Sequence, residues 1–237
     1  MTKADQSFTS KANQTSLRAT AKAERRQQLI DATIQCIAKH GLSGTTIAKV
    51  SGLAGTSVGL AHFHFKSKER LLEAVIEHLS AEYRALWLCR NQDPALSSTE
   101  RLMAIVESRF EAKVCDRKKL AVVFAFYGDA SARAIYRKVV GDQDDERLDA
   151  TVAILKLMIE EGGYTGIDPQ EVGLAIEAMY DGLFLNMLLY PSEFRRLSCK
   201  ARALSVLSAV LPKHFQAVDR IDLSPDFFRQ QDLPDAS

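Results

Sequence analysis

The chain of 237 residues is poor in the residues that usually announce chemistry: one tryptophan, six prolines and four cysteines. Cys36, Cys89, Cys115 and Cys199 are scattered and form no C-x-x-C pair. That is the usage of a reduced cytosol with buried thiols. No apolar run approaches the ~20 residues of a membrane span, and the N-terminus lacks the apolar core of a signal peptide. A cytoplasmic protein with no membrane partner is therefore expected. No alternating strand pattern of useful length and no internal repeat appears. Catalytic constellations are missing as well. His40, His62, His64, His78 and His214 are dispersed. His62 and His64 are two residues apart and would face different directions on a helix, so they do not share one metal. Glu160-Glu161 and the run from Asp142 to Glu146 read as solvated surface. The expectation is no enzyme, no cofactor and no metal.

What is present begins between Gly41 and Leu72. Ile47, Val50 and Ala54 recur at helical spacing. Gly55 lacks a Cβ and can take the positive φ that ends a helix. Thr56 or Ser57 then offers a hydroxyl cap to a second helix. Two short helices joined this way make a helix-turn-helix, whose second helix fits the DNA major groove. A rival motif shares these residues: Gly55-Thr56-Ser57-Val58-Gly59 also fits the G-x-S-x-G elbow of serine hydrolases. That elbow needs a strand running into the serine. Thr46 to Leu53 has helical periodicity instead, and no glycine-rich oxyanion loop occurs.

Charge supports the DNA reading. Residues 1–70 hold 11 Lys and Arg against 4 Asp and Glu, whereas residues 71–237 hold 20 against 26. A basic module on a mildly acidic body is the footprint of phosphate binding at one end. Residues 1–22, rich in Ser, Thr, Lys, Gln and Ala, read as a flexible arm. Its Lys3, Lys11, Arg18 and Lys22 either add contacts to the DNA backbone or belong to a disordered leader.

Gly41, Thr46, Ile47, Val50, Ala54, Gly55, Ser57, Gly59, Phe65, Lys68, Leu71 and Leu72 together resemble the tetracycline-repressor (TetR) family of bacterial regulators. The preceding helix, Arg25 through Gly41, is similar to that family's first helix. Ser51 stands where the family usually has Ala, and His62 and Phe63 where Tyr or His is common. The resemblance implies a homodimer that binds double-stranded DNA and is released by a small-molecule effector. Thr46 and Lys68 are expected to hold phosphates at helix N-termini. Ser57, Leu60, Ala61 and His62 should face the groove, with Gly59 permitting close approach; Thr56, Phe63 and Lys66 complete the DNA-binding set. The second helix carries no Arg or Lys, so apolar contact with thymine methyls is expected beside modest hydrogen bonding.

Helical pattern continues to about residue 211. Ser67 caps a helix running toward Trp87; Ser97-x-x-Glu100 is a capping box; Lys118 to Tyr127 is nearly all apolar. Ala130 to about Glu161 forms one long or broken helix. Asp168-Pro169 opens another, and a last helix runs from Phe194 to Leu211. The last two helices are apolar on more than one face, so they are buried on more than one side. In the family this pair makes the dimer; a deep monomeric core is the other possibility.

Val123 to Ala130, Glu160 to Tyr164, Asp181 to Leu185 and Pro212 to Phe215 are similar to the choline-responsive, BetI-like branch. Val123 and Tyr127 stand where that branch usually has Trp. Trp87, Phe110, Phe124, Phe126, Tyr127, Tyr180 and Phe184 are candidates to line a cavity, since aromatic faces attract a desolvated cation. Asp129 or Asp181 would supply a counter-charge. The same aromatics at helical spacing also fit an ordinary core.

The expectation is an all-α protein: a flexible arm (1–22), a three-helix helix-turn-helix domain (23–70), a ligand-sensing and dimerisation domain (71–212) and a tail (213–237). The alternative is a helical ligand carrier or interaction protein without DNA-binding activity.

Overall fold

The computed structural model describes residues 3–91 and 93–215, which are all-α, with nine helices and no strand among them. The chain divides into two compact units, Met1–Val75 and Ile76–Ser237. The first contains α1 (Lys3–Gly44), α2 (Ile47–Leu53), α3 (Val58–Phe65) and the opening turns of α4 (Lys68–Asn91). The boundary lies five residues beyond the expected one, because the turns that bury Leu71, Leu72 and Val75 belong to the first unit.

From Lys3 onward the expected arm is helical. α1 continues back to Lys3, and residues 3–40 contain neither glycine nor proline, so nothing in the chain interrupts the helix. Leu29, Ile30, Ile34 and Ile37 form its buried stripe. The helix breaks at Gly41, whose φ of 66° is one that side chains rarely adopt. The carbonyls left there are taken up locally: Thr45 Oγ1 donates to Gly41 O at 2.8 Å and Lys68 Nζ to Leu42 O at 2.7 Å.

The second unit holds the rest of α4 with α5 (Ser98–Arg109), α6 (Arg117–Gly128), α7 (Ala130–Gly162), α8 (Pro169–Leu189) and α9 (Arg196–Val210). The Ser97–Glu100 capping box forms with both bonds present. Asp116, Asp129 and Asp168 cap α6, α7 and α8 through their carboxylates. α7 packs against α5, α6 and α8. It meets α8 closely at Gly173, where a Cβ would stand 2.9 Å from Val152 Cγ2.

α8 departs from expectation. Its 21 residues are long and apolar enough to cross a membrane, by length and composition. The reason is that two faces are apolar: Ile176, Tyr180, Leu183, Phe184 and Met187 enter the core, whereas Leu174, Leu185 and Leu189 are exposed on another face. Cys36, Cys115 and Cys199 are buried and Cys89 is exposed. Burial pushes the Cys115 thiol up to about 12, which keeps it protonated. Of the expected tail, Lys213 to Phe215 belong to the body: the Lys213 amide donates to Tyr164 Oη at 2.7 Å and Phe215 is buried. The remaining tail residues, 216–237, lie outside the described ones, as do Met1 and Thr2 of the arm.

Candidate DNA-binding surface and effector cavity

α2 and α3 are each fixed by a hydroxyl cap. Thr46 Oγ1 accepts from the Lys49 amide and Ser57 Oγ from the Leu60 amide, both at 3.2 Å. The turn between them holds Gly55 at φ 62°. α3 then presents one face outward. Val58, Gly59, His62 and Phe63 are exposed there, with Phe63 at 65%. Ala61 and Phe65, four residues apart, are buried on the opposite face. Ala61 is therefore not a groove residue: it is fully buried, because α3 needs an inward face to hold its place. Leu60 and Thr56 are half-buried, and Thr46, Ser57 and Lys66 are exposed. Val58 is a surface residue that the helix-turn-helix pattern alone does not single out; its place one turn before His62 is the signal.

Two of the basic side chains near this surface are engaged by main-chain carbonyls. Lys68 binds Leu42 O, and Lys49 Nζ donates to Gly44 O at 2.9 Å. The Lys22 ammonium of α1 sits 5.3 Å from the centre of the Phe63 ring, and the Arg26 guanidinium 5.3 Å from that of Phe65. Partial burial, Lys22 and Arg26 hold His64 below its ordinary value, so this imidazole is neutral at pH 7.

The second unit contains a cavity of about 100 Å³, partly open to solvent. Of the residues singled out from sequence, Trp87, Phe124, Tyr127, Asp181 and Phe184 line it. The other expected residues do not. Phe110 and Tyr180 are fully buried core, Phe126 is likewise 0% exposed, and Asp129 is the N-cap of α7, accepting from the Ser131 and Ala132 amides. An aspartate ahead of a helix satisfies orphan donors there, so its carboxylate is already committed.

Sequence reading missed Tyr83, Arg109, Tyr136 and Arg147, which also line the cavity. Tyr83 precedes Trp87 by four residues on α4, a spacing that marks a shared face. Nothing local marks the others. Arg109 and Arg147 converge on Glu177: Arg109 Nη2 at 2.5 Å, Arg147 Nη2 at 2.8 Å and Arg147 Nε at 3.0 Å. Arg147 also reaches Asp144 at 2.9 Å, which accepts from Tyr136 Oη at 3.0 Å. Burial opposes the Glu177 charge, but the two guanidiniums outweigh it and hold the carboxyl below its usual range. Arg109 stacks over the rings of Tyr83, Tyr180 and Phe184 at 4.6, 5.1 and 5.8 Å. Asp181 sits at the exposed rim. Burial raises its carboxyl above the ordinary value, with Arg109 pulling the other way. Among the described residues no His, Cys, Asp or Glu cluster is suited to a metal.

Known proteins share this architecture. Residues 29–75 match the model of bacterial regulatory proteins of the tetR family, and residues 98–212 that of the BetI-type transcriptional repressor C-terminal domain. The HTH-type transcriptional regulator BetI of Escherichia coli K12 is 28% identical over 166 residues, covering 70% of this chain and 83% of the relative. A solved transcriptional regulator from Pseudomonas aeruginosa PAO1 superposes with TM-score 0.67 at 24% identity, over 82% of this chain and 93% of its own. A regulator from Saccharomonospora viridis in complex with choline superposes with TM-score 0.68 at 18% identity, over 78% and 96%. FadR from Bacillus subtilis in complex with stearoyl-CoA does so with TM-score 0.64 at 19%, over 78% and 97%.

Proposed function

The chain belongs to the TetR family of bacterial regulators, with a BetI-type C-terminal domain, and we propose that it is a homodimeric repressor released from a pseudo-palindromic operator by a small organic effector. It is a regulator and not an enzyme, as are its relatives. The observation that carries the DNA reading is the doubly capped α2–turn–α3 unit with Val58, Gly59, His62 and Phe63 exposed on one face. That face offers apolar groups for thymine methyls and His62 for a hydrogen bond. Thr46 keeps its hydroxyl hydrogen to donate to a phosphate, and Lys66 is exposed beside α3. The test is a titration of duplex DNA at several salt concentrations. Repressor activity requires affinity that falls steeply with salt and a preference for a two-half-site sequence. A chain that shifts no duplex at low salt is instead a ligand carrier.

The effector site is the aromatic cavity. Phe124 and Tyr127 offer half-buried ring surface that Arg109 does not cover, the buried Trp87 backs the wall, and Asp181 offers a carboxylate at the rim. Those walls suit a choline-like cation, with aromatic contacts worth up to ~2 kcal/mol each when desolvated. The mechanism follows from one helix. The later part of α4 lines the cavity through Ile76, Leu79, Tyr83 and Trp87, and its first turns belong to the DNA-binding unit. A ligand that tilts α4 favours a conformation in which the paired recognition helices leave one-turn spacing; a coupling of ~1–3 kcal/mol suffices.

Asp181 gives a pH signature. Its folded pKa lies above the ordinary aspartate value, so lowering the pH protonates it early and removes the charge that holds the cation. Choline affinity, read by calorimetry, should fall as pH drops through that raised value. Asp181→Asn should bind weakly at every pH, with the dependence gone. Equal pH dependence in both proteins would exclude Asp181 from the site.

A further inference from the structure

We propose that the part of α1 ahead of residue 29 is a second DNA-contacting element, in which Arg18 and Lys22 hold phosphates flanking the bases read by α3. The proposal rests on the DNA-binding reading above and extends it to a segment outside both matched domains, which begin at residues 29 and 98. Residues 1–28 carry six Lys and Arg against two Asp and Glu.

The first support is geometric. Arg18, Lys22 and Arg26 are spaced by four on an uninterrupted helix, which places them on one face. That face has a fixed position relative to α3. Lys22 lies against Phe63 and Arg26 against Phe65. Phe63 belongs to the outward surface of α3, so Lys22 borders the surface that would enter the groove. Arg18 is exposed one turn further along, about 6 Å down the helix axis.

The second support is a shortage of positive charge elsewhere. α3 itself has no Lys or Arg between Val58 and Phe65. Lys49 and Lys68 are held by the carbonyls of Gly44 and Leu42. Non-specific affinity for a duplex comes from cations that displace counterions from its phosphates; α3 supplies none and one donor each of Lys49 and Lys68 is taken, so cations flanking α3 gain weight. Among the described residues neither Arg18 nor Lys22 meets a carboxylate within ion-pair distance. An unneutralised cation beside the reading surface is what a phosphate requires.

The experiment uses the full chain and two duplexes: one selected by the wild-type protein from a random pool, and one unrelated. The double variant Arg18→Gln/Lys22→Gln is compared with Lys118→Gln/Lys156→Gln, which removes the same charge from exposed positions of the second unit. Glutamine keeps helix propensity, and circular dichroism confirms that α1 is intact. The N-terminal pair should weaken binding to both duplexes by a similar factor, roughly ten-fold or more near 0.15 M salt. The slope of log K against log salt should shrink by about 0.9 for each phosphate that the variant no longer neutralises. A wild-type slope, a weakening confined to the selected duplex, or an equal weakening in the control pair would overturn the proposal. A wild-type protein that selects no duplex would remove the DNA-binding reading itself, a different and separable failure.

Discussion

Glu177 shows how one residue organises the wall of the cavity. It receives three hydrogen bonds from two guanidiniums and is one-fifth exposed, with Arg109 and Arg147 more buried still. Removing its charge leaves two cations facing each other in a region of low dielectric. Such a break costs about 3–5 kcal/mol, more than the intact pair adds. Glu177→Gln should therefore lower the urea midpoint by an amount corresponding to about 3 kcal/mol at pH 7. The pH dependence has a definite sign. The folded pKa of Glu177 is depressed, so its stabilisation is present above the unfolded value near 4.5 and is lost as pH falls through the folded value. Wild type and variant should converge in acid. A gap of constant size down to pH 2.5 would mean that the loss is one of shape rather than charge.

At the scale of elements, the two short helices depend on their ends. α2 has seven residues and α3 eight, too few for helical propensity alone to hold them in water. Ser57 supplies the cap of α3 and Gly55 the left-handed turn before it. Ser57→Ala should cost about 1 kcal/mol by thermal denaturation. Gly55→Ala has open space for its Cβ, so its cost is the backbone term alone, about 1–2 kcal/mol. Each variant should also weaken DNA binding at matched folded fraction, since α3 frays where it must be rigid. Loss of stability without loss of affinity would place the reading surface elsewhere.

At the scale of the whole molecule, the proposed dimer would use the second face of α8 and α9. Leu174, Ala178, Gly182, Leu185 and Leu189 are exposed at spacings of four and three along α8, and Val206 and Ala209 are exposed on α9. An apolar stripe of this kind suits a self-complementary four-helix contact between two copies. Leu188 and Leu207, apolar in the same helices, belong to the other side: Leu207 is 1% exposed within the core and Leu188 packs against it. Leu185→Glu should give a folded monomer in sedimentation and abolish high-affinity operator binding. Leu207→Glu should unfold the chain. A dimeric Leu185→Glu protein would move the interface off this face.

The sequence by itself determined what depends on local order along the chain. Gly55, Ser57 and Thr46 specify a turn and two caps wherever they occur, so the helix-turn-helix was legible. The Ser97–Glu100 box and Asp168-Pro169 likewise marked helix starts. The unbroken run before Gly41 carried the helical signal too, but its polar composition suggested an arm. What only the tertiary structure decided is which side of each helix meets what. Phe110, Phe126 and Tyr180 have the same chemistry as Phe124 and Tyr127, yet the former are fully buried and the latter, half-buried, border a cavity. Asp129 and Asp181 are both candidate counter-charges by type, and only a helix start distinguishes them. Arg109, Arg147 and Glu177 are separated by 30 to 68 residues and share no local pattern, because long-range packing of α5, α7 and α8 brings them together. Local periodicity fixes the existence of a helix and its apolar faces; which apolar face turns to the core, to a cavity or to solvent depends on neighbours that the local sequence does not contain.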